Sequence, residues 1–214
     1  MIQAIIFDLD GVIVDTAHYH FIAWQRLARE LGVNFTEHEN EQLKGVSRMQ
    51  SLEIILSLGK IRLSEKEKED LADKKNQWFV EYIQAMKPDE IFPGVKELLK
   101  TIRSKGMKVA LASSSKNADT VLTLLNIKDY FDTIVDGTMI THSKPDPEIF
   151  LLAANRLGMK PSECVVFEDA EAGVAAAVAA GMKCVGVGSV TQLGKANYIV
   201  NKTADFDLAK LQML

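Results

Sequence analysis

The sequence predicts an α/β fold: a doubly wound parallel, Rossmann-like sheet with an inserted all-helical cap. Three observations predict it. Short apolar runs recur along the chain, amphipathic helical segments lie between them, and this alternation stops between residues 16 and 87. At 214 residues the chain is long enough to bury a full core and still carry an insertion. A hydrophobic content of 47% and a charged content of 25% are those of an ordinary globular chain, neither disordered nor fibrous.

Residues 2–8 open the pattern as an apolar run ending in aspartate, too short for a helix and therefore read as a buried strand. MKVALAS at 107–113, TIVD at 133–136, CVVFE at 164–168, KCVGV at 183–187 and YIV at 198–200 repeat it. Helices are expected between these runs. Residues 93–105 open with Pro93 and stop before Gly106, and 117–126 carry apolar positions at helical spacing. Residues 147–157 start at Pro147 and stop before Gly158, and the alanine-rich stretch 171–180 is closed by Gly181.

Residues 16–87 read as helical throughout. Ala17, Phe21, Trp24, Leu27, Ala28 and Leu31 form one apolar stripe, and Leu71, Trp78, Phe79, Tyr82 and Ile83 form another. Ser64 with Glu67 is a capping-box signature at the start of the second. The expected organisation is a catalytic core of residues 1–15 and 88–214 with a cap of residues 16–87.

Composition narrows the partners. The net charge is −4 with no run of like charge, which favours neither nucleic acid nor a polybasic membrane surface. No apolar run approaches the ~20 residues of a spanning helix. The start, MIQAIIFDLDG, lacks a charged n-region and reads as a strand, not a signal peptide. Cys164 and Cys184 sit inside apolar runs without metal or redox spacing, so they are expected to be buried structural thiols of a cytoplasmic protein.

The chemistry gathers at strand ends. Asp8 and Asp10 close the first strand just before Gly11, and ligands of open parallel sheets bind at the carboxyl ends of strands. Residues two apart share a strand face, so both carboxylates can enter one cavity. Such a pair stays ionised together only beside a cation. Glu168 and Asp169 supply a second acidic pair at another strand end; if the two strands adjoin, four carboxyl groups converge on an oxygen-only site of the kind magnesium prefers. Taken singly, Asp8 can cap a turn and Glu168 and Asp169 can cap the next helix.

Ser113, Ser114 and Ser115 precede Asn117 at a helix entry, a natural phosphate site but also an ordinary polar cap. Lys144 precedes two prolines in SKPDP, which rigidify a loop able to aim its ammonium. P-loop, HExxH, GxSxG and GxGxxG signatures are all absent.

These elements stand in a particular order: DLDGV at 8–12, the serine turn at 113–115, Lys144 in SKPDP, and FEDAEAG from Phe167. In that order they resemble the haloacid dehalogenase superfamily over essentially the whole chain. DGVIVDTAHYHFIAW, EQLKGVSR with Ser51, KKN at 74–76 and ALASSSKN further resemble its β-phosphoglucomutase branch. That branch interconverts β-glucose 1-phosphate and β-glucose 6-phosphate through a phosphorylated aspartate.

The resemblance implies one Mg2+ per chain and β-glucose 1,6-bisphosphate as primer, with a sugar phosphate as partner and a monomer as the working form. Asp8 becomes the nucleophile and Asp10 the general acid/base. Asp8, Asp10 through its backbone oxygen, Glu168 and Asp169 become metal ligands. Ser113, Ser114, Ser115, Lys116, Asn117 and Lys144 grip the transferring phosphoryl group. In the cap, Arg48 takes the distal phosphate. Lys44, Gly45, Val46, Ser47, Ser51, Lys75 and Asn76 line the sugar pocket. Thr16, His20 and Trp24 stand at the hinge side, His20 coupling cap closure to the placement of Asp10.

Two residues depart from the branch's usual pattern: Gly137 stands where proline is common, and His142 lies in the loop that aims Lys144. A phosphatase acting on sugar phosphates is the alternative reading. A catalytically silent relative would be expected to lose the nucleophile or a metal carboxylate, and both remain. Asp10 itself argues against dehalogenase or phosphonatase chemistry, whose leaving groups need no such proton donor.

Overall fold

The computed structural model describes residues 1–43 and 46–214, so Lys44 and Gly45 lie outside the described residues. Six strands form one parallel sheet in the order β3-β2-β1-β4-β5-β6: β1 (Ala4–Phe7), β2 (Lys108–Ala112), β3 (Thr133–Val135), β4 (Cys164–Glu168), β5 (Lys183–Val187) and β6 (Tyr198–Val200). The apolar runs expected from the sequence are these six strands, shortened by a residue or so at some ends. Their side chains alternate between two buried faces, as a parallel sheet covered on both sides requires. Ile5 and Phe7 pack on one side, with Val109, Leu111 and Phe167. Ala4 and Ile6 pack on the other, with Ala110, Val166 and Cys184.

Helices α5 (Val95–Ser104) and α6 (Ala118–Leu124) cover the first face through Val95, Leu99, Ile102, Val121 and Leu122. Helices α7 (Glu148–Leu157) and α8 (Glu171–Ala179) cover the second through Ile149, Phe150, Ala153, Val174 and Ala177, and a short α9 (Val190–Leu193) adds Leu193. Helix α5 starts two residues later than the proline predicts, because Gly94 adopts φ +84° and turns the chain into the helix. Gly158 caps α7 in the left-handed conformation expected of it.

Between β1 and β2 the described residues form no strand. Among the described residues the insertion holds four α-helices, α1 (Ala17–Glu30), α2 (Glu37–Asn40), α3 (Arg48–Leu58) and α4 (Glu65–Ile83), and a 3-10 turn at Glu41–Leu43. On α1 the buried positions are Ala23, Trp24, Leu27 and Ala28; Ala17, Phe21 and Leu31, at the flanks of the expected stripe, are only half-buried. Phe79 and Ile83 of α4 and Leu52 and Ile55 of α3 complete this packing. It is continuous with the first face of the sheet through Leu9, Val12, Ile13 and Val14. Ser64 caps α4 as read from the sequence: its side chain accepts from the Glu67 backbone, and the Glu67 carboxylate accepts from the Ser64 backbone. Ser64→Ala is expected to cost about 1 kcal/mol, seen as a lower urea midpoint with an unchanged slope.

The register places the chemistry. Phe7 pairs with Leu111 on one side and with Phe167 on the other, so Asp8 stands level with Ala112 and Glu168 at the carboxyl ends of three central strands. The Asp8 backbone N–H donates to the Phe167 carbonyl at 2.9 Å. No helix among the described residues is long and apolar enough to cross a membrane.

Candidate active site

Sheet neighbours β1 and β4 bring the two acidic pairs together. Asp8 and Glu168 are almost fully buried, and between them lies the Lys144 ammonium, which has no exposed surface. Lys144 Nζ donates to Asp8 Oδ1 at 2.6 Å and to Glu168 Oε2 at 2.8 Å, and stands 4.9 Å above the Phe150 ring. Burial works against its charge, yet the two carboxylates outweigh it and push its pKa up. Burial also pushes Glu168 up to about 7, against the pull of Lys144. One ammonium between two carboxylates in a dry site is what holds both carboxylates there. Lys144→Met leaves two buried carboxylates without their cation and is expected to cost about 3–5 kcal/mol in urea denaturation of the metal-free protein.

Asp10 is next along the same strand end, and its Oδ1 is buried without a hydrogen-bond partner among the described residues. Burial, and then the charge of Asp8, push its carboxyl up to about 8. Two carboxyl groups two residues apart therefore differ in environment: Asp8 accepts from an ammonium, whereas Asp10 is held in its proton-bearing form near neutral pH.

Asp8, Glu168 and Asp169 each place one carboxylate oxygen within 4.8 Å of the others. Three hard oxygen donors at a strand end fit a magnesium ion and suit soft thiolate-seeking metals poorly.

A cavity of about 590 Å3 opens above these carboxylates, its floor formed by Asp8, Asp10 and Asp169. One wall comes from the loop after β2. Ser114, Ser115, Lys116 and Asn117 line it, while Ser113 lies buried behind them and accepts from the Ser115 backbone at 3.2 Å. The opposite wall comes from the insertion: His20, Trp24, Val46, Ser47, Arg48, Ser51 and Lys75. Ser47 also caps α3, in a capping box with Gln50.

Lys75 is nearly fully buried. Its Nζ lies 2.7 Å from His20 Nδ1 and over the rings of Trp24 at 4.5 Å and Phe79 at 4.9 Å. Burial first, and the neighbouring Arg48 second, lower the Lys75 pKa well below its usual value. Burial and then Lys75 lower that of His20. His20 also stacks on Phe79, with centroids 3.9 Å apart.

Asn76 ties the insertion to the core. Its Oδ1 accepts from Arg48 Nη2 at 2.8 Å and from Asn117 Nδ2 at 2.8 Å. Asn117 precedes α6 but makes no side-chain cap, so its amide is committed to this bridge and not to the helix. Thr16 is buried at the start of α1 and does not line the cavity, whereas His20 and Trp24 do. His142 is exposed and donates its backbone N–H to Glu148, in the loop that carries Lys144.

Sequence reasoning missed several wall residues. Asp73 pairs with Arg48, Nη1 to Oδ1 at 3.5 Å, and Glu69 and Ala72 share its helix face. Their signal was periodicity: counting back three or four positions along α4 from Lys75 and Asn76 reaches Ala72 and Asp73, and four more reaches Glu69. Gly137 was noted only as a departure from pattern. A Cβ there would lie 2.2 Å from the Ser114 carbonyl oxygen, so its smallness lets the loop after β3 close against the serine turn.

The model of the haloacid dehalogenase-like hydrolases matches residues 2–181. Over 211 residues the chain is 44% identical to β-phosphoglucomutase of Bacillus subtilis, covering 98% of this chain and 93% of that protein. It is 37% identical over 184 residues to a phosphorylated carbohydrates phosphatase of Thermotoga maritima, covering 85% of this chain and 82% of that one. A crystal structure of β-phosphoglucomutase from Clostridium difficile superposes with a TM-score of 0.96 at 44% identity, covering 100% of this chain and 96% of that one.

Proposed function

The chain belongs to the haloacid dehalogenase-like hydrolases, and from that premise we propose that it is a phosphomutase interconverting β-glucose 1-phosphate and β-glucose 6-phosphate. The observation that carries this reading is a cavity with two poles. Asp8, beside a buried Lys144, and Asp10, whose Oδ1 is buried without a partner among the described residues, line it from the core, and Arg48 lines it from the insertion. A sugar bisphosphate has charge at both ends and fits between such poles. Arg48, with a planar fork of donors, suits the phosphate that is not reacting.

Phosphate esters resist attack because the nucleophile meets negative charge, so positioning and neutralisation supply most of the catalysis. Asp8 attacks phosphorus, and the bond from phosphorus to the sugar oxygen breaks as Asp10 hands that oxygen its proton. The product is an aspartyl phosphate on Asp8 and a sugar monophosphate with a free hydroxyl. Glucose 6-phosphate departs, and an incoming β-glucose 1-phosphate presents its 6-hydroxyl: Asp10 takes that proton while the oxygen attacks phosphorus, Asp8 leaves as a carboxylate, and the bisphosphate re-forms for the next transfer. Asp8, Glu168 and Asp169 would hold Mg2+, which would supply positive charge beside the transferring phosphoryl group. Lys144 holds Asp8 in line, and the insertion, joined to the core through Asn76 and Asn117, keeps water from the acyl phosphate.

In this reading the core is residues 1–15 and 88–214, the cap is residues 16–87, and a catalytic amount of β-glucose 1,6-bisphosphate primes Asp8. The chain works as a cytoplasmic monomer, and its two cysteines are free and buried.

The assay offers β-glucose 1-phosphate with Mg2+ and a trace of the bisphosphate, followed for glucose 6-phosphate and for free phosphate. Glucose 6-phosphate is the expected product, with activity lost to EDTA and restored by Mg2+. Free phosphate without isomerisation overturns the mutase reading in favour of a sugar-phosphate phosphatase, the activity named for the Thermotoga relative.

A further inference from the structure

We propose that Gly173 is a positioning residue of the acid site, a seat in α8 that the Glu168 carboxylate fills. A Cβ at 173 would lie 2.0 Å from Glu168 Cδ, 2.2 Å from Oε2 and 2.4 Å from Oε1, well inside any permitted contact. Conformational freedom does not explain the glycine. Gly173 lies within α8 and is not among the glycines of positive φ, and in a helix interior glycine is less favourable than alanine. The sequence of α8, EAGVAAAVA, uses alanine at five of nine positions and glycine only where the helix meets Glu168.

Glu168 has no room to yield. It is fully buried, with Lys144 Nζ at 2.8 Å from Oε2 and the Ala170 backbone N–H donating to Oε1 at 3.1 Å. Pushing the carboxylate away from α8 breaks these contacts or carries Lys144 with it, and Lys144 in turn holds Asp8. Asp169 has a comparable seat. A Cβ at Gly11 would lie 2.0 Å from its Oδ2, but Gly11 has φ +74° and is constrained on that ground as well. Gly173 is therefore the position where space alone can be tested. The inference deepens the proposed function and rests on reading Asp8, Glu168 and Asp169 as the magnesium set.

The test compares Gly173→Ala in two backgrounds, the natural chain and Glu168→Ala, by thermal denaturation without metal and by calorimetric Mg2+ titration. Helix propensity alone predicts a higher Tm in both. The seat predicts a lower Tm in the natural background and a higher one once Glu168 is truncated, together with Mg2+ affinity weakened about tenfold or more by Gly173→Ala alone. If Gly173→Ala does not fold, Glu168→Asp/Gly173→Ala, whose shorter carboxylate withdraws from the helix, is expected to restore folding. A Tm change of the same sign in both backgrounds, unchanged Mg2+ affinity, or no rescue by Glu168→Asp overturns the proposal. A natural chain that binds no Mg2+ defeats the metal reading instead, and the Tm signs still decide the seat.

Discussion

Asp8→Asn is expected to lower turnover on the order of 10^4-fold or more while leaving the fold intact. A carboxamide has the shape of the carboxylate but no anionic oxygen to attack phosphorus, so the covalent route closes. Folding survives for an electrostatic reason. Lys144 sits between Asp8 and Glu168, so neutralising Asp8 still leaves it one carboxylate partner at 2.8 Å. Steady-state rates with β-glucose 1-phosphate, intact mass of the protein after exposure to bisphosphate, and a melting curve measure the three parts of this expectation. The variant should gain no phosphoryl mass. Full turnover in Asp8→Asn would refute covalent catalysis here.

The second large effect belongs to Asp10. Asp10→Asn is expected to lose about 10^2- to 10^4-fold in turnover, the usual worth of a positioned acid/base. It should still accumulate phosphorylated Asp8 slowly, because the nucleophile and Lys144 are untouched. The same carboxyl predicts a pH effect in metal-free protein. Its pKa rises from 3.8 to about 8 on folding, chiefly through burial and then through Asp8. Between those values the folded state binds the proton that the unfolded chain has released. Stability from this group is therefore complete below about pH 4 and is lost as pH rises to about 8. Melting temperatures of the natural chain and of Asp10→Asn across this window should diverge, with the variant lacking that loss. Parallel curves would assign the pH dependence to other groups.

Much of this molecule was legible one residue at a time. The six apolar runs became the six strands, and their turns and caps fell at Gly158 and Ser64 as local chemistry requires. Asp8, Asp10, Glu168 and Asp169 were marked because each ends a strand, and a strand end is visible from pattern alone. The serine turn and Lys144 were weaker signals, each with a common structural explanation, and gained meaning only from their order along the chain.

Other features were not legible, and the reasons are physical. Lys144 becomes a buried bridge because the chain returns from residue 144 to Asp8, a separation of 136 positions that no periodicity records. Asp73, Glu69 and Ala72 face the cavity because α4 lies with that side toward the core, which packing decides. Asn117 reads as a helix cap, yet its amide donates to Asn76 of the insertion because the cap brings that partner within 2.8 Å. The different environments of Asp8 and Asp10 come from what surrounds them, an ammonium in one case and, in the other, burial with one oxygen unpartnered among the described residues.

The sequence by itself determined the strand order of the chemistry: which residue types stand at which strand ends, and that an insertion of helices follows the first. Local propensity and alternation suffice for that, since each depends on near neighbours. Only the tertiary structure decided that Glu168 shares its lysine with Asp8, that Asp10 Oδ1 is buried without a partner among the described residues, and that a glycine in α8 makes room for Glu168. Those outcomes depend on distance and solvent exclusion between segments far apart in the chain, and charge in a protein is governed by both.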